Sequence, residues 1–123
     1  MNTRDLGKKV ERIVVNYLKS RGYKILRTNW TCYAGEIDIV ALKGENLSFV
    51  EVKSAFSGFC SPCELLTLKK KKSLTRSVNK YLLQNFPDNS KIPNFQIDLV
   101  CVHKLGQKIS LKHYKNIDCE SYF

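Results

Sequence analysis

Two apolar segments joined by one tight turn constrain this chain more than anything else in it. Residues 36–42, Glu-Ile-Asp-Ile-Val-Ala-Leu, and residues 47–53, Leu-Ser-Phe-Val-Glu-Val-Lys, both have strand composition. Lys43-Gly44-Glu45-Asn46 between them carries a hairpin loop signal. A turn this short fixes the register. With its centre between Gly44 and Glu45, residues whose numbers sum to about 89 face each other. The two strands are then antiparallel neighbours, and Asp38 lies opposite Glu51.

Other elements assemble around that hairpin. Val10, Ile13, Val14, Tyr17 and Leu18 recur at helical spacing and predict a helix over 5–21, capped by Thr3 or Asp5 and ended by Gly22. Residues 23–32 read as a strand, with Ala34-Gly35 as the turn that follows. Residues 54–66 form a Ser, Gly, Pro and Cys-bearing loop. Thr67 is placed to cap a second helix over 68–85, whose apolar stripe is Leu74, Val78, Tyr81 and Leu82. Strands follow at 95–102 and, after the Gly106 turn, at 108–113. Helices interleaved with strands in the order αβββαβ(β) predict an α/β sandwich rather than a bundle or a barrel.

At 123 residues the chain fits one domain, 1–123, with no room for a second core. Hydrophobic content of 43% and charged content of 26% exclude a disordered chain. No apolar run approaches the roughly 20 residues of a membrane span, and the first residues lead into no apolar signal core. A cytoplasmic location, away from membranes, is the expectation. Five cysteines, an odd number without an export signal, argue for reduced thiols rather than a disulfide framework. Cys60-Ser-Pro-Cys63 has half the spacing of a zinc knuckle, but no second pair completes it.

Charge points to a partner. There are 21 Lys or Arg against 11 Asp or Glu, a net charge of +10, and this favours a polyanion, with nucleic acid first. The compositional alternative is an AT-rich genome, since lysines number 16 against 5 arginines. Lys69-Lys70-Lys71-Lys72, at the start of the second helix, is the densest cationic run. Four cations there oppose the helix macrodipole, and an anionic ligand would relieve that cost. They are the candidate contacts to a nucleic-acid backbone, at least two of them facing outward.

The minority charges carry the chemistry. Asp38 sits between Ile37 and Ile39, and Glu51 between Val50 and Val52, where surface decoration would not place them. Residues two apart on a strand share a face, about 6.6 Å apart. Glu51 therefore projects with Lys53, and Glu36 with Asp38 and Val40. Across the hairpin, Asp38 and Glu51 lie on strands about 4.8 Å apart. Two carboxylates so close repel each other unless a cation intervenes. A divalent ion suits them, because Mg²⁺ binds through one or two carboxylates, water and phosphate oxygens. Glu11, at the edge of the first helix's apolar stripe, is the candidate third acid. The bland alternative is a solvated sheet face with weak ion pairs. Asp98, inside another apolar strand, either supports the site or caps a buried hydrogen-bond network. Trp30 and Tyr33 either stack on bases or pack at a sheet edge. His113 has no partner legible in the sequence.

Asp38 with Glu51-Val52-Lys53 resembles the active site of the PD-(D/E)xK nuclease superfamily. The chain is most similar to one branch, the small endonuclease-like YraN family. The matching segments are Gly22-Tyr23-Lys24-Ile25-Leu26, Asn29-Trp30, Gly35 to Ala41, Phe49 to Lys53, Pro62, the Lys-rich start of the second helix, Asp98-Leu99-Val100 and Asn116. The resemblance implies a restriction-endonuclease-like three-layer sandwich around a mixed sheet of four to five strands. It implies phosphodiester hydrolysis with Mg²⁺ or Mn²⁺ on Asp38 and Glu51, Lys53 stabilising the developing charge, and Glu11 holding a second ion or tuning the water, as in the more distantly similar Holliday junction resolvases. Such resolvases act on a four-way junction, for which a two-fold homodimer would be suited. Thr31, Ala55 and Gln96 stand where the family often has Arg, and Val10 where it often has Gly, so phosphate binding is expected to be remodelled. The rival expectations are a nucleic-acid-binding module without turnover and a structural adaptor.

Overall fold

Helix α1 (Thr3–Ser20) buries Val10, Val14 and Leu18, the inner line of its apolar stripe. It begins two residues before the expected start and ends where Gly22 adopts φ 92, a conformation costly for any side chain. The computed structural model describes residues 3–55 and 66–117. Cys60, Cys63 and Pro62 lie outside the described residues, so the half-knuckle spacing has no structural reading.

Five strands follow the chain order across one sheet: β1 (Lys24–Cys32), β2 (Gly35–Lys43), β3 (Asn46–Ala55), β4 (Asn94–Leu105) and β5 (Lys108–Tyr114). All neighbours are antiparallel except β3 and β4, which are parallel. A parallel pair needs a long crossover. Here it contains helix α2 (Leu68–Asn85) and a short 3-10 turn at Asn89–Lys91. Thr67 caps α2 as expected, its Oγ1 accepting the Lys70 N–H at 3.2 Å. The architecture is therefore an α/β three-layer sandwich with a mixed five-stranded sheet.

The two helices cover opposite faces. Val10, Val14 and Leu18 of α1 pack with Ile39, Ala41, Val50, Val100 and Val102. Leu74, Val78, Tyr81 and Leu82 of α2 pack with Trp30, Ile37, Val40, Leu47 and Phe49. Trp30 is buried, with its ring edge-on to Tyr81 at 5.3 Å, which is packing rather than a platform for bases.

One detail breaks the simple alternation. Ile37 packs towards α2, yet Ile39 packs towards α1, although residues two apart normally share a face. The pairing Trp30–Ile37 and Thr28–Ile39 skips Asn29 and Asp38, and Asn29 sits at φ 52. Both strands therefore change face at this point. The expectation that Glu36, Asp38 and Val40 share a face fails for Val40, which belongs to the α2 core. The reason is this switch, which a strict period of two cannot represent. Just before it, Gly35 presses the β1–β2 turn against α2: a Cβ there would collide with Ser73 Oγ, which donates to Ala34 O at 2.7 Å.

Candidate active site

The hairpin keeps its expected register from Lys43–Asn46 to Ile39–Val50, and the pairing stops there. Asp38 is next. Instead of a backbone pair, its side chain bridges the strands, Oδ2 accepting the Val52 N–H at 2.8 Å. The change of face at Asp38 permits this, because a side chain held strictly on one face could not reach across to a neighbouring backbone. The bond anchors one carboxylate at the point where the two strands part.

Glu51 enters from the other side. Val50 and Val52 pack towards α1 and Phe49 towards α2, so alternation places Glu51 on the α2 side. It is only 2% exposed, which excludes the solvated sheet face. Its Oε1 faces two ammonium groups, Lys70 Nζ at 3.5 Å and Lys53 Nζ at 3.9 Å. Its Oε2 is buried and has no hydrogen-bond partner among the described residues. A buried carboxylate oxygen without a donor is costly and demands an explanation.

The electrostatics agree. Burial, then the Asp38 charge, push Glu51 from the ordinary 4.5 up to about 7, while Lys70 and Lys53 pull it down. Asp38 is also raised, first by burial and then by Glu36, against the opposing Val52 hydrogen bond and the two lysines. Glu11 is raised by burial and by Asp38, and its bond from Asn29 Nδ2 to Oε1, at 2.8 Å, opposes the rise. These carboxylates therefore sense one another, as expected for acids held together without enough positive charge. Glu11, Glu36, Asp38 and Asn29 line an open cleft of ≈ 590 Å³ beside α1, with Gly7, Lys8, Val52 and Ser54. Asp38 thus joins two compartments, the cleft on the α1 side and the Glu51–Lys53–Lys70 cluster on the α2 side.

Comparison with known proteins places the chain. The model of the uncharacterised protein family UPF0102 matches residues 10–102. The chain belongs to UPF0102. A UPF0102 protein of Carboxydothermus hydrogenoformans is 36% identical over 95% of this chain and 98% of its own length. One from Clostridioides difficile is 37% identical over 89% of this chain and 95% of its own length. Among solved structures, SfsA of Pyrococcus furiosus in complex with Ca²⁺ is 16% identical and overlays with a TM-score of 0.44, covering 93% of this chain and 64% of that one. That overlay is too slight to carry an argument about chemistry.

Not every residue anticipated from the sequence joins the site of this UPF0102 chain. Asp98 is fully buried and fully engaged: it accepts from Gln96 Nε2 at 2.8 Å and the Asn116 N–H at 2.9 Å, and pairs with His113 Nε2 at 2.8 Å. His113 Nδ1 in turn meets the Tyr17 hydroxyl at 2.9 Å. Asp98 thus takes the network role, and His113 has two partners that its sequence neighbourhood did not suggest. The Lys69–Lys72 run fans out around the helix. Lys69 is exposed, Lys70 reaches Glu51, Lys71 is 5% exposed and Lys72 is half-buried. One helical turn points its residues in different directions, so four lysines in a row cannot share a surface. Tyr33 is 87% exposed, with Lys80 Nζ 4.9 Å from its ring centre.

Among the described residues no three His, Cys, Asp or Glu side chains form a ready cage for a metal ion. The donor set is instead two carboxylates, one with an unpartnered buried oxygen. That fits a hard cation that keeps several waters, such as Mg²⁺ or Mn²⁺, better than a structural ion needing four protein ligands. Asn29 is a site residue to which the sequence assigned no role, and Lys70, expected as a contact to a nucleic-acid backbone, reaches Glu51 instead. No helix among the described residues is long and apolar enough to cross a membrane.

Proposed function

We propose that this protein hydrolyses phosphodiester bonds of nucleic acid, DNA foremost, at the Asp38–Glu51 pair. The observation that carries this reading is Glu51 Oε2, buried and unpartnered in a cluster that also holds Asp38 and two lysines. Asp38 and Glu51 would hold Mg²⁺ or Mn²⁺, with the Val52 carbonyl as a neutral donor. When bound, such an ion supplies charge against the phosphoryl oxygens and acidifies water for attack.

The chain's own groups have separable tasks. The Val52 N–H fixes the Asp38 carboxylate, so its position does not depend on a ligand. Lys53, a third exposed, offers an ammonium to the charge that grows on the phosphate. Glu11, raised above an ordinary carboxylate and lining the cleft, can accept a proton from water at its carboxylate. A strongly basic surface would supply sequence-independent attraction to the backbone.

A nucleic-acid-binding module without turnover is the second reading, and one observation favours it. Two lysines already face Glu51 Oε1, so part of its charge is balanced by the protein itself. Incubation with single-stranded, duplex and branched DNA and with RNA, in Mg²⁺ or Mn²⁺, separates the two. Hydrolysis requires cleavage of at least one substrate, lost in Asp38→Asn and reduced by about 10²-fold or more in Lys53→Ala. Salt-sensitive binding without cleavage supports the module. Neither binding nor cleavage leaves the structural adaptor.

A further inference from the structure

Lys70 stands outside the Asp38 and Glu51-Val52-Lys53 pattern, yet its ammonium is nearer to Glu51 than that of Lys53, at 3.5 Å against 3.9 Å. The two lysines come from different layers, Lys53 from β3 and Lys70 from the first turn of α2. Both approach the same oxygen, Oε1, and leave Oε2 without a partner among the described residues. The Lys70 backbone is pinned, because Thr67 Oγ1 accepts its N–H. Its side chain is 30% exposed, so the ammonium can exchange one partner for another without any movement of the helix. Lys71, the next residue, is buried and Lys69 is exposed; Lys70 alone of the three reaches the acid.

We propose that Lys70 is a resident counter-cation of Glu51, which holds the carboxylate in the metal-free protein and passes to a substrate phosphate when a divalent ion takes its place, so that ion and phosphodiester bind cooperatively. This rests on the metal site proposed above. The physical reason is charge. An ion entering alone must sit near two ammonium groups that have lost part of their counter-charge. A phosphodiester entering alone meets carboxylates still nearby. Together, the ion replaces the lysine at Glu51 and the phosphate receives the lysine. Lys70 is in this sense a positioning residue: it sets how strongly the two ligands depend on each other. Coupling of this kind is reciprocal, so the oligonucleotide must strengthen ion binding by the factor with which the ion strengthens oligonucleotide binding.

The test is Mn²⁺ binding, read from the resonance of free Mn²⁺ in alkaline buffer, above the value of about 7 for Glu51. Titrations are made with and without a phosphorothioate oligodeoxynucleotide, which carries the backbone charges and resists hydrolysis, and Mn²⁺ taken up by the oligonucleotide alone is subtracted. Wild type is expected to bind Mn²⁺ about tenfold more tightly with the oligonucleotide present. Lys70→Met is expected to bind Mn²⁺ severalfold more tightly than wild type without the oligonucleotide, and to lose most of the coupling. Lys70→Arg should restore the coupling. Lys19→Met removes the same charge from an exposed helical position outside the site and should leave both values near wild type, and thermal melts confirm that each variant is folded. If Lys70→Met binds Mn²⁺ no more tightly than Lys19→Met and keeps the coupling, Lys70 is an ordinary helix lysine and the inference is wrong, whereas the metal site stands. If wild type binds no Mn²⁺ in either condition, the metal site and this inference fail together.

Discussion

Asp98 and Glu51 make an instructive pair. Each is an acid inside an apolar strand, each is buried, and their strands are neighbours in the sheet. Asp98 is closed: Gln96, His113 and Asn116 supply its partners, and Tyr17 extends the chain of bonds to α1. Glu51 is open: among the described residues one oxygen has ammonium groups at 3.5 Å and 3.9 Å and the other has no partner. Folding alone accounts for Asp98, because a buried acid with matched donors ties β4, β5 and α1 together. Folding does not account for Glu51, where an unmatched buried oxygen is a cost that a bound cation would offset. Burial of charge therefore does not separate these two acids; the unfilled valence of Glu51 does.

The largest effect that would sharpen this contrast is on stability. Asp98→Ala should cost about 3 kcal/mol or more of unfolding free energy, because it removes the buried acid shared by three part-buried partners at once. A urea titration measures it, and a loss below about 1 kcal/mol would make Asp98 no more structural than Glu51. A ligand effect comes next. Mn²⁺ at roughly a hundred times its Kd should stabilise wild type by about 2.7 kcal/mol and leave Glu51→Gln unmoved. Equal thermal shifts in the two proteins would place the ion elsewhere.

Acidity gives a third effect, spread over a wide range of pH. Glu51 rises from the ordinary 4.5 to about 7 on folding, so between those values the folded protein holds a proton that the unfolded chain has released. In metal-free buffer the stability it contributes is complete below about 4.5 and is lost as pH rises through about 7, on the order of 3 kcal/mol. Asp38 is shifted in the same direction and titrates with it. Glu51→Gln should flatten that slope in pH-dependent melts; an unchanged slope would assign it to another group. The smallest effect tests the far end of the closed network. Tyr17→Phe removes the hydroxyl bonded to His113 and should cost about 1 kcal/mol, with no change in Mn²⁺ binding.

Much of this was readable from the chain. The two-residue turn set the β2–β3 register, and through it the approach of Asp38 to Glu51, because hairpin geometry is local. The helix stripes and the Thr67 cap were legible for the same reason. What escaped depends on contacts distant in sequence. Asn29 turns through φ 52 and lets both strands change face at Asp38, which period-two patterning has no means of showing. Lys69 to Lys72 are four equal letters until packing buries Lys71 and aims Lys70 at Glu51. His113 finds Tyr17, 96 residues away, and Asp98 only when β5 joins the sheet.

Anomalous diffraction from crystals grown with Mn²⁺ would test the central claim most directly. The open-carboxylate account predicts one strong peak bound by Asp38 and Glu51, with no peak at Asp98. A peak at Asp98, a peak in the Glu11–Glu36 cleft that leaves Glu51 untouched, or no peak at an Mn²⁺ concentration that saturates solution binding would contradict it.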